Sequence, residues 1–302
     1  MSRIKVAYTG GAAIGPDLYR FYRAIGINLK QLYGQTETLA YVCKQPNGEA
    51  RLDSVGTPMP GVEIKVGEKG EILVKSPGLL KEYYKNPQAT EESITHDGFF
   101  RTGDAGFIDQ DGHLKIIDRA KDVGTLNDGT MFAPQFLENK LKFFPFIKEV
   151  VCFGDKRDAV CAFINIEMDA VGNWAERQGI GYSGYVDLAS KPEVYVLLQT
   201  CIEQVNQDLA KDDTLSGSQI KRFLILHKEL DADDDELTRT RKVRRDFVAE
   251  KYEVLVTALY NDAKECFIET QMKFEDGRTG VISANISISD AKTSQSTLEL
   301  AA

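Results

Sequence analysis

Thr36-Glu37 sets a hydroxyl beside a carboxylate after an apolar stretch and Tyr33-Gly34-Gln35. At a strand end this pair suits a metal-bound phosphate. The carboxylate holds Mg2+ while the hydroxyl bonds a phosphoryl oxygen. The same pair also fits an ordinary helix start, because Thr is a good N-cap. Asp104, in Phe100-Arg101-Thr102-Gly103-Asp104, could accept both hydroxyls of a ribose. Its plain alternative is a turn Asp bonding its own backbone. Further on, Leu237-Thr238-Arg239-Thr240-Arg241-Lys242-Val243-Arg244-Arg245 follows the acidic run Asp231–Glu236. By charge alone this is an exposed basic loop, solvated or anion-binding. A mobile ammonium such as Lys242 can also stabilise charge that develops in a transition state.

The elements that must position these residues follow from apolar spacing. Ile4, Val6 and Tyr8 alternate as in a strand, and Gly10-Gly11 breaks it. Leu18, Phe21, Tyr22 and Ile25 share one helical face, and Asn28 to Tyr33 predicts a second short strand. This α/β piece of residues 1–48 needs sheet partners that the sequence does not contain. Residues 49–120 are rich in short strands and turns: Val62–Val66, Glu71–Val74, Phe107-Ile108 and Leu114–Ile116 around Asp111-Gly112. They predict a small antiparallel barrel or sheet.

After Arg119 the pattern becomes α+β, with a boundary near 119–123 and a C-terminal domain over residues 121–262. Phe136, Leu137, Leu141 and Phe144 form a helical stripe, and Val150 to Phe153 and Val160 to Ile166 are buried strands. Val194 to Leu209 is a strong amphipathic helix, Ile220 to Leu226 a strand, and Arg245 to Leu259 another helix. Residues 263–289 predict a hairpin extension about Asp276-Gly277, a candidate cover or dimer contact, and 290–302 a disordered tail.

Composition narrows the possibilities. A hydrophobic share of 42% with 27% charged residues is ordinary for a globular protein. The net charge of −9 argues against a nucleic-acid binder, even one using Arg239–Arg245. Five scattered cysteines (Cys43, Cys152, Cys161, Cys201, Cys266) without a CxxC pair, and three dispersed histidines, leave no zinc pattern. Reduced thiols and no signal-peptide pattern at Met1–Lys5 predict a cytoplasmic protein.

Taken in order, Gly10-Gly11-Ala12, Leu32-Tyr33-Gly34-Gln35-Thr36-Glu37-Thr38, Thr102-Gly103-Asp104, Asp118-Arg119-Ala120-Lys121-Asp122 and the late lysine motif resemble the AMP-forming acyl-CoA synthetases of the adenylate-forming ligase superfamily. The resemblance covers residues 3–260 or so. Residues 127–138 with Phe143-Phe144-Pro145 look most like the bacterial long-chain fatty acyl-CoA synthetase branch. It implies an α+β multidomain fold: a partial α/β remnant, a small β-barrel-like subdomain and a mobile α+β C-terminal domain. It also implies that ATP, AMP, Mg2+, coenzyme A and a fatty acid are handled. Gly10, Gly11, Ala12, Tyr33, Gly34, Asp104 and Arg119 would bind the nucleotide, with Tyr33 stacked on adenine and the guanidinium fork of Arg119 on ribose or phosphate. Thr36 would touch phosphate, Glu37 would ligate Mg2+, and Lys121 would be the hinge. Lys242 would be the lysine bridging the substrate carboxylate and the α-phosphate. Two departures stand out: the family's Pro is Arg239 and its Gly is Arg241.

A complete member carries a Gly/Ser/Thr-rich phosphate loop earlier in its sequence. The chain is therefore expected to be the C-terminal portion of a fatty acyl-CoA ligase, inactive alone, from a truncated gene, a split gene or a cloned fragment. The alternative is a non-catalytic module that binds AMP or a protein. The strands at Ile4–Tyr8 and Asn28–Tyr33 should expose apolar surface. Homodimerisation, pairing with a missing N-terminal half and peripheral membrane association of the parent enzyme are further expectations.

Overall fold

The computed structural model describes residues 3–11, 14, 16–212, 214–238, 242–273 and 279–295. The chain divides into two compact units, Met1–Val123 and Gly124–Ala302.

In the first unit, β1 (Ala7–Thr9) is followed by α1 (Pro16–Ala24) and β2 (Leu29–Tyr33). β1 and β2 pair in parallel, Ala7 against Leu29 and Thr9 against Gln31, so Gly10-Gly11 and Tyr33-Gly34 lie at the same carboxyl edge. Two antiparallel additions, β3 (Cys43–Lys44) and β4 (Thr57–Pro58), extend this sheet. Lys30 is almost fully buried on β2, yet satisfied, because its Nζ donates to the carbonyls of Pro46 and Glu49. Gln45 accepts from the Tyr19 hydroxyl and the Gln31 amide. These bonds fix β2, and with it Tyr33, against the loop at 45–54.

A second sheet holds β5 (Glu63–Val66), β6 (Glu71–Lys75), β7 (Phe100–Ile108) and β8 (Leu114–Arg119), all antiparallel in that order; α2 (Pro87–Ser93) leads into β7. It is an open sheet, the second of the two forms the turn-rich sequence allowed, and not the barrel-like subdomain the resemblance implied. β5 pairs only with β6 and β8 only with β7 among the named strands, so the edges do not meet. The apolar side is covered instead by Val42 and Cys43, which cluster with Ile72, Val74 and Leu114. That shared core runs across position 48, so the expected α/β and β-rich segments form one unit.

Leu18, Phe21 and Ile25 are half exposed, as are Ile4 and Tyr8 around β1.

The second unit begins with the small ladder β9 (Gly124–Thr125) and β10 (Met131–Phe132), then α3 (Pro134–Leu141), β11 (Ile147–Phe153) and β12 (Val160–Ile166). α4 (Met168–Arg177), α5 (Tyr185–Ser190), α6 (Pro192–Leu209) and β13 (Ile220–Ile225) follow. The chain continues through α7 (Arg245–Lys251), α8 (Glu253–Tyr260), β14 (Glu265–Lys273) and β15 (Thr279–Asp290). The five-stranded sheet runs β11-β12-β13-β15-β14, with β12 and β13 parallel. Every residue of β12 is buried, as expected of a strand covered on both faces. Val151, Phe153, Cys161, Phe163 and Leu224 pack with Val248, Tyr252, Leu255 and Leu259 of the α7–α8 region. The alternating residues turn to the other face, where Phe223 stacks on Tyr195 of α6.

Three expectations change here. The helix expected over Arg245–Leu259 is two, broken at Tyr252 (φ −109°, ψ 28°), whose buried hydroxyl donates to Glu236 at 2.6 Å. The hairpin expected as an extension over 263–289 is part of the domain sheet, because β15 pairs with β13. Its turn at Asp276-Gly277 lies outside the described residues. Finally, the start of the tail expected to be disordered is pinned: Ala291 N–H donates to Lys221 O, and Lys292 O and Ser294 O accept from Asn206 and Gln219. Residues 296–302 lie outside the described residues.

Candidate functional site

Asp104 owes its position to a bulge. Glu71 pairs with Ala105 and Leu73 with Arg101, so Thr102-Gly103-Asp104 opposes the single residue Ile72. The extra residues are accommodated by Gly103 at φ +68°, a conformation that costs glycine little. Thr102 Oγ1 donates to Ile72 O at 2.7 Å and accepts from Asp104 N at 3.1 Å, closing the kink. The sequence Thr-Gly-Asp thus has a local reason: a hydroxyl to lock the bulge, a glycine to turn it, and a carboxylate re-aimed by it.

Three side chains converge on that carboxylate. The Tyr33 hydroxyl donates to Oδ2 at 2.7 Å and Gln35 Nε2 donates to the same oxygen at 2.8 Å. Arg119 Nη1 donates to Oδ1 at 2.7 Å from β8, where Arg119 is the register partner of Asp104. The Asp104 side chain is 12% exposed and that of Arg119 56%. Burial, and next the neighbouring Asp104 carboxylate, push the Tyr33 phenol well above its usual range, so it stays a neutral donor. Asp104 therefore faces outward partners and does not form the self-bonded turn weighed above.

The Thr36-Glu37 pair sits in a single 3-10 turn, Thr36–Thr38, and the N-cap position falls on Gln35 instead of Thr36. Thr38 Oγ1 accepts from Gln35 N at 3.0 Å, leaving the Thr36 side chain exposed. Glu37 Oε1 accepts from the Tyr83 hydroxyl at 3.1 Å. Burial, then this hydrogen bond, raises the Tyr83 phenol. Gly34 is required: a Cβ there would come within 2.4 Å of the Ala40 backbone. Leu39 and Ala40 follow at φ 52° and 55°, an uncommon pair of left-handed residues immediately beside the turn.

Gly10 packs so tightly on β2 that a Cβ would meet Leu32 Cδ1 at 2.6 Å, and Gly11 adopts φ +87°. Ala12 lies outside the described residues. Lys121 is exposed in the turn that follows β8, two residues before the unit boundary. Lys242 is exposed in the second unit. Its amide donates to Thr238 Oγ1 at 3.0 Å and its carbonyl accepts from Thr238 N at 2.8 Å. Arg239–Arg241 lie outside the described residues. The basic stretch is not uniformly solvated, since Arg245 forks onto Glu138 at 2.6 and 2.8 Å.

In short range, then, the structure joins Tyr33, Asp104 and Arg119 directly and places Thr36 and Glu37 on the turn that Gln35 caps. Gln35 and Tyr83 were not assigned roles from the sequence. Gln35 lies inside the Tyr33–Thr38 motif and could have been found there; Tyr83 carried no signal. Among the described residues no group of three or more His, Cys, Asp or Glu side chains could hold a metal. A single carboxylate such as Glu37 still fits Mg2+, which is commonly held by one or two carboxylates with waters and substrate phosphates.

Comparison with known proteins identifies the family. A family model described as AMP-binding enzyme matches residues 1–84, and one described as AMP-binding enzyme C-terminal domain matches residues 121–264. The chain belongs to the AMP-binding enzyme family, matching both its AMP-binding portion and its C-terminal domain. It is 34% identical to the long-chain-fatty-acid–CoA ligase FadD15 of Mycobacterium bovis over 258 residues, covering 85% of this chain and 42% of that protein. It is 29% identical to the human long-chain-fatty-acid–CoA ligase 1, covering 87% and 39%. The fold is similar to the adenylation domain of a carboxylate reductase from Mycobacterium chelonae (TM-score 0.59, 22% identity, 85% of this chain, 38% of that one). It is also similar to the corresponding domain from Segniliparus rugosus, solved with AMP and a carboxylic acid (TM-score 0.57, 21% identity, 86% and 39%). The chain thus spans about two fifths of the length of the curated relatives it matches.

Proposed function

We propose that this chain supplies nucleotide recognition and the mobile lysine of an ATP-dependent fatty acyl-CoA ligase. In that reaction a fatty acid carboxylate attacks the α-phosphorus of ATP, forming the acyl-phosphate bond of an acyl adenylate and releasing pyrophosphate. The thiol of coenzyme A then attacks the acyl carbon, forming the thioester and releasing AMP. The convergence of Tyr33, Gln35 and Arg119 on Asp104 carries the reading. Both carboxylate oxygens are pre-aimed, and the guanidinium is exposed enough to leave its partner for a ligand. Asp104 would accept the ribose hydroxyls, Arg119 would turn to ribose or phosphate, and Tyr33 would lie against adenine. Thr36 would bond a phosphoryl oxygen and Glu37 would hold Mg2+, which supplies charge neutralisation at the phosphates. Lys242 would neutralise charge between the substrate carboxylate and the α-phosphate.

Gly10, Gly11, Ala12 and Gly34 would complete the nucleotide cradle, and Lys121 would absorb the rotation between two orientations of the C-terminal domain. A cytoplasmic setting fits the free thiols.

The 302-residue chain alone should form little acyl-CoA, because loss of even one preorganised donor costs roughly 10²–10³ in rate. The test is pyrophosphate release from ATP with palmitate and coenzyme A, beside calorimetric titration with AMP. Measurable AMP binding without turnover supports the reading. Absence of AMP binding up to millimolar concentration overturns the nucleotide assignment. Robust turnover abolished by Lys242→Ala would keep the assignment and show that the chain needs nothing further.

A further inference from the structure

On either side of the Lys242 loop in sequence, the second unit buries charges that an apolar core has no need of. Lys228 Nζ donates to Asp234 Oδ2 at 2.9 Å and to Glu236 Oε2 at 2.7 Å. Lys251 Nζ, from the end of α7, reaches Glu236 Oε1 at 2.8 Å, and the Tyr252 hydroxyl donates to the same oxygen at 2.6 Å. The side chains of Lys228, Asp234 and Glu236 are 8%, 6% and 0% exposed. Desolvating such charges is expensive, and packed apolar residues of similar size would often hold a fold equally well. What a closed charge cluster does supply is one fixed geometry.

That geometry is transmitted to the loop through the backbone. Glu236 Oε2 also accepts from Asp231 N at 2.9 Å, while Glu236 O accepts from Arg244 N at 2.9 Å. Leu237 bridges Val243, and Thr238 N donates to Lys242 O. Glu236 therefore touches both strands of the loop: its own residue opens it and its carbonyl closes it at Arg244. One residue further on, Arg245 forks onto Glu138 of α3, which is itself fixed by Cys152 N at 2.9 Å. Leu237 thus follows directly on the buried cluster, and Arg244 directly precedes the part-buried Arg245–Glu138 pair.

We infer that the Lys228–Asp234–Glu236–Lys251 cluster with Tyr252, together with the Arg245–Glu138 pair, is a positioning device that presents Lys242. The inference deepens the proposed function and rests on Lys242 being the lysine that acts on the carboxylate and phosphate. Glu236 does not touch substrate; it sets the base from which the ammonium extends. A lysine side chain is long and flexible, so a fixed base is what confines its reach.

Amide hydrogen exchange on the full chain tests this, reading Thr238, Lys242 and Arg244, whose amide bonds are given above. In Glu236→Gln the Lys242 and Arg244 amides should exchange at least tenfold faster than in the wild type. In Tyr252→Phe, which removes one donor and keeps the shape, they should exchange about threefold faster. Leu198→Ala, which destabilises the same domain from the opposite face of the sheet, should leave them within about twofold. Unchanged loop amides in both cluster variants would overturn the inference. So would equal acceleration in Leu198→Ala, because the cluster would then only add stability. If Glu236→Gln does not fold, Tyr252→Phe against Leu198→Ala decides the matter. The role of Lys242 itself is read separately, by Lys242→Ala in adenylation assays of the full-length ligase to which this chain corresponds. Failure there leaves the exchange result standing.

Discussion

Asp104 and Glu236 each gather a tyrosine hydroxyl and a basic side chain, one in each unit, and they differ in what surrounds those partners. Around Asp104 the Arg119 side chain is 56% exposed, and Gln35 and Tyr33 approach from the edge of a sheet. Around Glu236 the carboxylate is fully buried and two lysines bracket it. Exchanging a partner at Asp104 needs one guanidinium to swing into water, a small cost. Exchanging one at Glu236 would strand a charge in a low-dielectric interior. The same set of groups can therefore receive a ligand in one place and hold a backbone in the other. Burial decides which.

Removing the buried acid should have the largest effect. Glu236→Leu leaves Lys228 and Lys251 short of countercharge, and breaking a buried pair this way costs about 3–5 kcal/mol. Urea denaturation should show that loss, and a change under about 1 kcal/mol would place the cluster in effective contact with water. Asp104→Ala should behave in the opposite sense. AMP affinity should fall about a hundredfold, the worth of two bonds to a charged group, while folding stability changes by about 1 kcal/mol or less. If Asp104→Ala unfolds the first unit instead, its carboxylate is structural and the comparison collapses.

Acidification probes the second unit further. His227 is 3% exposed, neither ring nitrogen has a hydrogen-bond partner among the described residues, and the Tyr252 ring lies 6.5 Å away. Burial, reinforced by the positive charge of Lys228 and Lys251 and partly opposed by Glu236, pushes its imidazole down to about 4. The unfolded chain takes up that proton below about 6.5. Stability should therefore decline as pH falls from about 6.5 to about 4, by up to about 1.4 kcal/mol per unit, and flatten below. His227→Phe should remove this part of the slope, and an unaltered pH profile would show the ring is already charged or solvated. The smallest effect belongs to α1. Leu18→Lys and Phe21→Lys should each shift stability by no more than about 0.5 kcal/mol while reducing self-association in ultracentrifugation. A large loss would mean that this exposed face is covered in solution.

The glycine-bearing motifs and Thr-Gly-Asp stood out in the sequence, although the bulge was not read there, because their geometry is local. Gly103 must turn left-handed, Gly34 must clear Ala40, and Thr102 must lock a bulge, so each motif names its own geometry. The strands of the second unit were equally legible, since Val160–Ile166 is apolar but for Asn165 and buried throughout. By contrast, Gln35 and Tyr83 meet Asp104 and Glu37 only because β7, β2 and the segment before α2 come together, 69 and 46 residues apart in sequence. The hairpin β14–β15 looked like an appendage because pairing with β13 is non-local. Nothing in the acidic run Asp231–Glu236 marked Asp234 and Glu236 as buried, for a related reason. Charge patterning sees neighbours along the chain, whereas Lys228 and Lys251 neutralise Glu236 across the fold. Sequence determined the turns, the core strands and the family's motifs through short-range sterics and apolar periodicity. Tertiary structure alone decided which charges were buried, because desolvation depends on everything packed around them.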